Sequence, residues 1–407
     1  MPKLRPFVLL QASSLTATIS GSATFIGTPW LALHVTHSST LAAIVIAASA
    51  VPGLLLTPFV GGLIDRFGRR RVAFWSELFI FATSALIPIV AMTVGMSLPM
   101  LIILVVLKAL MPGGQPARKS LLPDTADHAG MPLDRANSIN EAIGAAGFAI
   151  GPSVAALLIW VFDSYAAFWA AAGFSLLASV LVLFIRVTEK QEPVEGEPES
   201  SHPIRYALQG FVTLGKIPAL LVVFSSFIVL AIIYIPTEMV VLPRYYQGIG
   251  QPQFLGILIT TMSTFTVLGS LLFERIHKWI GYSNIVRIAG VTIGACMIPM
   301  ALLPSYWVML VLGAILGFVW GPMMPLLNTL IQTMVPANVR GRVFAVEIVM
   351  WNTAPLTSFI LVGLALDSFG VPPVYMTLAI LVFVASAAIA LAPQLSHLTD
   401  EYETSRN

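Results

Sequence analysis

At 407 residues the chain is long enough for two or three soluble domains, yet 57% of it is hydrophobic, only 10% is charged and its mean hydropathy is +0.89. Ordinary globular domains carry about 25% charged residues, so this chain cannot clothe a water-facing surface, which excludes a soluble enzyme and a disordered scaffold. A net charge of +2 from 21 basic and 19 acidic residues is too balanced for a nucleic-acid footprint, and the single cysteine, Cys296, excludes a disulfide framework or a cysteine metal cluster.

Apolar stretches of about 20 residues, enough to cross roughly 30 Å of hydrocarbon at about 1.5 Å per residue, recur along the chain. They predict twelve helices, at 7–33, 40–64, 72–92, 98–117, 137–162, 166–186, 217–241, 254–273, 284–303, 306–331, 343–366 and 373–392. Lys3 and Arg5 precede the first stretch, but its apolar run is longer than a secretory signal, so it is expected to be a retained helix. Neither end carries a lipidation pattern. With the N-terminus inside, the basic residues gather in the inner loops; only Lys108, within the fourth helix, and Arg244, outside, fall elsewhere. The positive-inside rule then predicts twelve spans with both termini cytoplasmic in a cell membrane.

A polar stretch rich in Glu and Pro, Thr188 to His202, lies between helices six and seven and reads as a cytoplasmic linker. It divides the chain into a six-helix bundle at 1–187, a linker at 188–216, a second bundle at 217–392 and a tail at 393–407. Short echoes relate the two bundles. Gly61-Gly-Leu-Ile-Asp65-Arg66 corresponds to Ser270-Leu-Leu-Phe-Glu274-Arg275, Asp163-Ser-Tyr165 to Asp367-Ser-Phe369, and Arg135 to Arg340 and Arg342. A duplicated bundle of this kind suggests two halves rocking about a central site.

The run Gly61-Gly62-Leu63-Ile64-Asp65-Arg66-Phe67-Gly68-Arg69-Arg70 suits a tight inner loop. Its glycines permit positive φ, Asp65 can cap a helix end, and Arg66, Arg69 and Arg70 can pair with acids nearby. The positive-inside rule alone explains the arginines but not the Gly and Asp spacing. This run is similar to the G-x-L-x-D-R-x-G-R-R signature of the major facilitator superfamily, with every signature position filled. On the fifth helix, Gly144, Gly147, Gly151 and Pro152 make a small-residue groove that admits another helix closely. This stretch resembles the G-x-x-x-G-P-x-x-G-G antiporter signature of drug-exporting facilitators, with Ala155 and Ala156 in place of the last two glycines. Pro116-Ala-Arg118, Arg135-Ala-Asn137-Ser and Arg340-Gly-Arg342 resemble the branch that holds macrolide and siderophore exporters.

Charges inside a membrane helix cost about 2.5 to 3.5 kcal/mol on insertion scales, so each is a functional candidate. Lys108 is the clearest, about ten residues from either end of its predicted helix, with Pro112 and Gln115 at i+4 and i+7 continuing a polar face. It serves either transport or a structural pair. Glu77, Glu141 and Glu347 lie near the inner ends of their helices, where pairing with loop arginines is the simpler role. Glu238, after Pro236, is the best proton-carrier candidate. Gln11, Ser14, Thr18 and Ser22 fall at steps of three and four, as a cavity lining or a packing face would. Trp351 and several methionines suit a greasy cavity or plain helix packing.

The histidines show no H-E-x-x-H pair, and neither a G-x-S-x-G elbow nor a Walker motif is present, so no enzyme, no cofactor and no ATP coupling is expected. The resemblance implies an all-helical facilitator with a cavity between two six-helix bundles. It would export a lipophilic or amphipathic small molecule by alternating access in exchange for protons. The loop signature would be a latch, and Gly147, Gly151 and Pro152 a close-packed seam. Expected partners are the substrate, protons and membrane lipids, with no nucleic acid, around a monomer. The alternatives are a lipid or siderophore exporter without proton coupling and a non-transporting receptor or scaffold.

Overall fold

The computed structural model describes residues 4–56, 59–187, 211–212, 214–335 and 337–395, which hold helices and connecting turns but no strand. The linker Thr188 to His202 and the tail beyond Leu395 lie outside the described residues. Among the described residues, eight helical stretches are long and apolar enough to cross a membrane, and three shorter apolar helices accompany them, Ser39–Gly53, Leu98–Lys108 and Thr353–Phe369. Side chains such as Ile103, Val311 and Leu361 are 60% or more exposed, which suits a surface against lipid rather than water.

Helix α1 (Arg5–Thr36) opens with Pro6 in its first turn and closes on His37, whose left-handed backbone lets its N–H bond the Leu33 carbonyl. It is long enough to span, but its serines and threonines keep it from being uniformly apolar. Next come α2 (Ser39–Leu56), α3 (Val60–Phe67), α4 (Arg69–Thr93), α5 (Leu98–Lys108), α6 (Gly114–His128), α7 (Leu133–Val161) and α8 (Ala166–Leu183). Later elements are α9 (Pro218–Val229), two π-helical turns at Leu230–Tyr234 and Thr237–Val241, α10 (Leu242–Gly248) and α11 (Pro252–Leu271). The series ends with α12 (Phe273–Ala301), α13 (Tyr306–Trp320), α14 (Met323–Met334), α15 (Ala337–Phe369) and α16 (Val371–Ala390).

Several predicted helices are therefore interrupted, and the interruptions fall at glycine and proline. The helix expected at 98–117 stops at Lys108 and resumes at Gly114, after Pro112 and Gly113. The one expected at 306–331 breaks at Gly321 and Pro322. Gly68, at φ 86°, separates α3 from α4; Gly281, at φ 74°, breaks the backbone inside α12. Both occupy the left-handed region, where a Cβ is strained. The predicted start of the ninth helix, 284, thus missed a preceding helical segment beginning at Phe273. In both places a short helix ends on a positive-φ glycine, so the repeat seen at Asp65-Arg66 and Glu274-Arg275 has a backbone counterpart.

By contacts the chain forms two compact units, one of Met1–Glu192 with Leu242–Thr260, the other of Pro193–Val241 with Thr261–Asn407. In the first, α1 packs along α7 and α8. Hydroxyls join them: Ser13 donates to the Ala178 carbonyl at 3.0 Å, and Ser20 bonds the Ala171 carbonyl and Ser175, each at 2.8 Å. In the second unit, α12 packs along α16, where a Cβ on Gly294 would lie 2.5 Å from Phe383 Cα. Helix α13 approaches α11 just as closely, since a Cβ on Gly317 would meet the Met262 carbonyl at 2.1 Å. The second unit's core gathers Phe224, Phe227, Tyr282, Met323, Leu326 and Leu330.

Candidate functional site

The first unit carries a buried seam between α1 and α7. Beta carbons on Gly147 and Gly151 would stand 2.8 Å from Thr18 Cβ and 1.9 Å from Ser22 Oγ, so only glycine permits this approach. Ser22 uses the proximity to donate to the Gly147 carbonyl at 3.0 Å. Another side of α7 meets the start of α11: a Cβ on Gly256 would lie 2.3 Å from Ala156 Cβ and 2.8 Å from the Pro152 carbonyl. Thr260 donates to the Ala149 carbonyl at 2.7 Å and meets Ser153 at 2.7 Å. Where the antiporter signature has glycine, this chain has Ala156, and the glycine needed for contact stands on the partner at Gly256.

Lys108 is the last residue of α5, not the middle of a continuous helix, and its ammonium donates to Thr24 Oγ1 on α1 at 3.0 Å. Because α5 ends there, Gln115 belongs to α6, and the expected i+7 face shared with Lys108 does not exist. Non-helical backbone at membrane depth is tolerated where it is buried in protein or lines a cavity. Here Gly113 and Gly114 bring the start of α6 against α4, with a Cβ on Gly114 only 2.8 Å from Glu77 Oε1. The Glu77 carboxylate thus sits at a helix N-terminus, where the backbone dipole favours a negative charge. It also pairs with Arg118 on α6, both side chains being under 8% exposed. Glu77 Oε2 and Ser76 Oγ are buried without a hydrogen-bond partner among the described residues.

Gln115 and Arg118 reach a polar pocket of about 50 Å³, together with Ser14 and Thr18 from α1, Lys119 from α6, and Asn140, Glu141 and Gly144 from α7. The polar series predicted on α1 therefore divides. Ser14 and Thr18 line the pocket, Ser22 belongs to the seam, and the Gln11 amide is buried with no partner among the described residues. Glu141 pairs with Lys119 at 3.1 Å on an exposed surface.

The signature predicted as a loop is helical on both sides of Gly68: Gly61 and Asp65 belong to α3 while Arg69 and Arg70 open α4, and the Asp65 side chain lies outside the described residues. The Arg66 guanidinium covers the Phe67 ring at 5.4 Å. Arg69 bonds Asp124 of α6 at 2.9 Å, and Arg70 donates to the Leu183 carbonyl at the end of α8. Those observed contacts tie α4 to its own unit.

In the second unit Glu238 accepts a hydrogen bond from Tyr234, one π-helical turn joined to the next. Such turns are rare and often mark functional sites. Tyr234 stacks on Trp320 at 6.2 Å; Trp320 meets Trp351 edge-on at 6.0 Å; and Phe227 touches both indoles, at 5.9 and 5.7 Å. Glu347 stands one turn before Trp351 on α15. Glu238 and Trp351, singled out separately from sequence, thus belong to one aromatic neighbourhood through Tyr234 and Trp320. Tyr234, Trp320 as a stacking partner, Asn140 and the role of Arg118 escaped the sequence reading. The only available signals were the Tyr-x-x-x-Glu spacing and an arginine beside Lys119 that the positive-inside rule already explained.

A model of the Major Facilitator Superfamily matches residues 10–354. The chain is 30% identical over 404 residues to the multidrug efflux pump Tap of Mycolicibacterium fortuitum, covering 97% of this chain and 98% of that one. It is 21% identical over 348 residues to the staphyloferrin A transporter of Staphylococcus aureus, covering 85% and 86%. Among solved structures, the nucleoside transporter NupG superposes with a TM-score of 0.76 at 13% identity, over 94% of this chain and 98% of that one. The chain belongs to the Major Facilitator Superfamily. It is an integral membrane transporter rather than an enzyme, and its sequence falls with the drug and siderophore exporters of that family.

Proposed function

We propose that the protein exports a lipophilic or amphipathic small molecule from the cytoplasm by alternating access, in exchange for protons. One observation carries this reading: of the ionisable residues in the apolar helices, the two taken as coupling candidates stand at departures from regular α-helix, Lys108 at the end of α5 and Glu238 in a π-helical turn. Interrupted helices in transporters expose backbone groups where substrate and coupling ions bind. The aromatic neighbourhood of Trp320 and Trp351 offers apolar, polarisable surface beside the Glu238 carboxylate, a combination suited to a greasy molecule with a polar end. The efflux activity named for the Tap relative supports the direction of transport. In this reading the chain crosses the membrane twelve times with both termini cytoplasmic and works as a monomer. The bundles at 1–187 and 217–392 rock about the site, the segment from Gly61 to Arg70 acts as the latch, and the α1–α7 seam keeps its bundle rigid during the movement.

The test is uptake of a fluorescent lipophilic cation into inside-out vesicles under an imposed acid-inside gradient. Native protein is expected to accumulate the dye, and Lys108→Ala or Glu238→Gln to abolish gradient-driven uptake. Absence of uptake by folded native protein would overturn the multidrug-cation reading and favour a lipid or siderophore as cargo.

A further inference from the structure

The pocket between α1, α6 and α7 has a chemistry that the aromatic neighbourhood lacks. Its basic groups outnumber its acids, with Arg118 and Lys119 facing Glu141, while the Glu77 charge lies behind Arg118 rather than in the lining. Arg118 is 6% exposed, and its hydrogen bond to Glu77 runs from Nη1 to a single carboxylate oxygen. A guanidinium has five N–H donors in a planar fork, so most of Arg118 is left to serve the pocket it lines. The Gln115 and Asn140 amides and the Ser14 hydroxyl add neutral donors, whereas Thr18 directs its proton to the Ser14 carbonyl at 2.8 Å. The Lys119–Glu141 pair is more than half exposed on both sides, so it is held weakly and Lys119 is free to exchange partners.

A volume of about 50 Å³ holds a few heavy atoms, since by the same measure one water needs about 10–15 Å³. Whole drug-sized ligands need about 300 Å³ or more. This is therefore a place for one end of a molecule. We propose that the pocket is an oxyanion subsite that takes the carboxylate end of an amphipathic cargo, gripped by the fork of Arg118 and flanked by Asn140 and Gln115. The proposal rests on the reading of the protein as a carrier of amphipathic molecules, and it adds an acidic group to the cargo.

Gly144 makes the subsite testable without disturbing the buried pair. It lines the pocket, and a Cβ placed on it meets nothing within 4 Å, so a larger side chain there starts into open space beside the cavity. The experiment is isothermal titration of the full-length protein in nanodiscs with three probes: dodecanoate, dodecyltrimethylammonium and citrate. Dodecanoate is expected to bind, with Gly144→Leu weakening it about tenfold or more and Asn140→Ala by a smaller factor, as befits loss of charge-assisted or neutral hydrogen bonds. Both variants are expected to melt at the native temperature. Citrate bound with the same dependence would mean that the carboxylate suffices; dodecanoate alone would mean that a tail is required. Equal affinity for dodecyltrimethylammonium, or dodecanoate binding untouched by Gly144→Leu in a folded variant, would overturn the subsite. Binding is read here without transport, so failure of the vesicle assay and failure of this assay remain separate results.

Discussion

Both units use glycine for close helix contacts, but the side chains around those contacts differ in chemistry. In the first, α1 is held by hydroxyls and glycines: Ser13, Ser20 and Ser22 reach across to neighbouring helices, and Gly147 and Gly151 leave no room for a methyl group. Its charges are paired, Glu77 with Arg118 in the interior and a partly exposed Arg69 with Asp124. In the second, rings meet at 5.7–6.2 Å around Trp320, and the acid among them is bonded by a phenol. Directional bonds and close backbone contacts fix one geometry, whereas ring stacking and methionine tolerate adjustment at small cost. The first unit is built for defined polar contacts and the second for a surface that adapts.

The sharpest way to break this contrast is to unbalance the buried pair. Glu77→Gln leaves Arg118 charged and buried, and removing one partner of such a pair costs about 3–5 kcal/mol. A melt followed by tryptophan fluorescence should show a large fall, while Glu77→Leu combined with Arg118→Met should recover much of it. Next come the glycine contacts, which allow both units to be probed by the same change. Overpacking costs roughly 1–3 kcal/mol and occasionally more. Gly317→Ala should exceed Gly151→Ala, because its Cβ meets the Met262 backbone carbonyl at 2.1 Å, whereas at Gly151 the backbone carbonyl of Ile19 stands farther off at 2.8 Å and the nearer Ser22 hydroxyl can rotate. Equal losses in the two melts would remove the distinction between a yielding and an unyielding neighbour.

Tyr234→Phe tests the adaptable side. It deletes the hydrogen bond to Glu238 and keeps the ring. Gradient-driven uptake should fall about tenfold, the effect of losing a bond of about 1.5 kcal/mol to a charged group, with little change in melting temperature. The smallest effect should come from Lys119→Ala. Its bridge to Glu141 is exposed on both sides, and such pairs contribute about 0–1 kcal/mol, so the melt should hardly move.

Much of the fold could be read from apolar run length. The stretches at 72–92, 166–186, 254–273 and 373–392 correspond closely to α4, α8, α11 and α16, because about 20 apolar residues have few alternatives in a chain so poor in charge. The interruptions were less legible. Pro112-Gly113-Gly114 stood in the sequence, but a proline can kink a membrane helix or end it, and only packing against α4 selects the ending. Lys108 consequently moved from the middle of a helix to its last residue. Arg118 looked like one more inner-loop cation until its partner Glu77, 41 residues earlier, was seen beside it.

What the sequence determined by itself is the all-helical membrane architecture and the family, since hydrophobic length, charge placement and short signatures are local properties of the chain. What only the tertiary structure decided is which of those residues share a site. Glu77 joins Arg118, Tyr234 joins Trp320 and Trp351, and Ser14, Asn140 and Arg118 converge on one pocket. Those associations depend on how closely glycine lets helices approach and on where a helix breaks, and both are settled by packing between segments far apart in the chain.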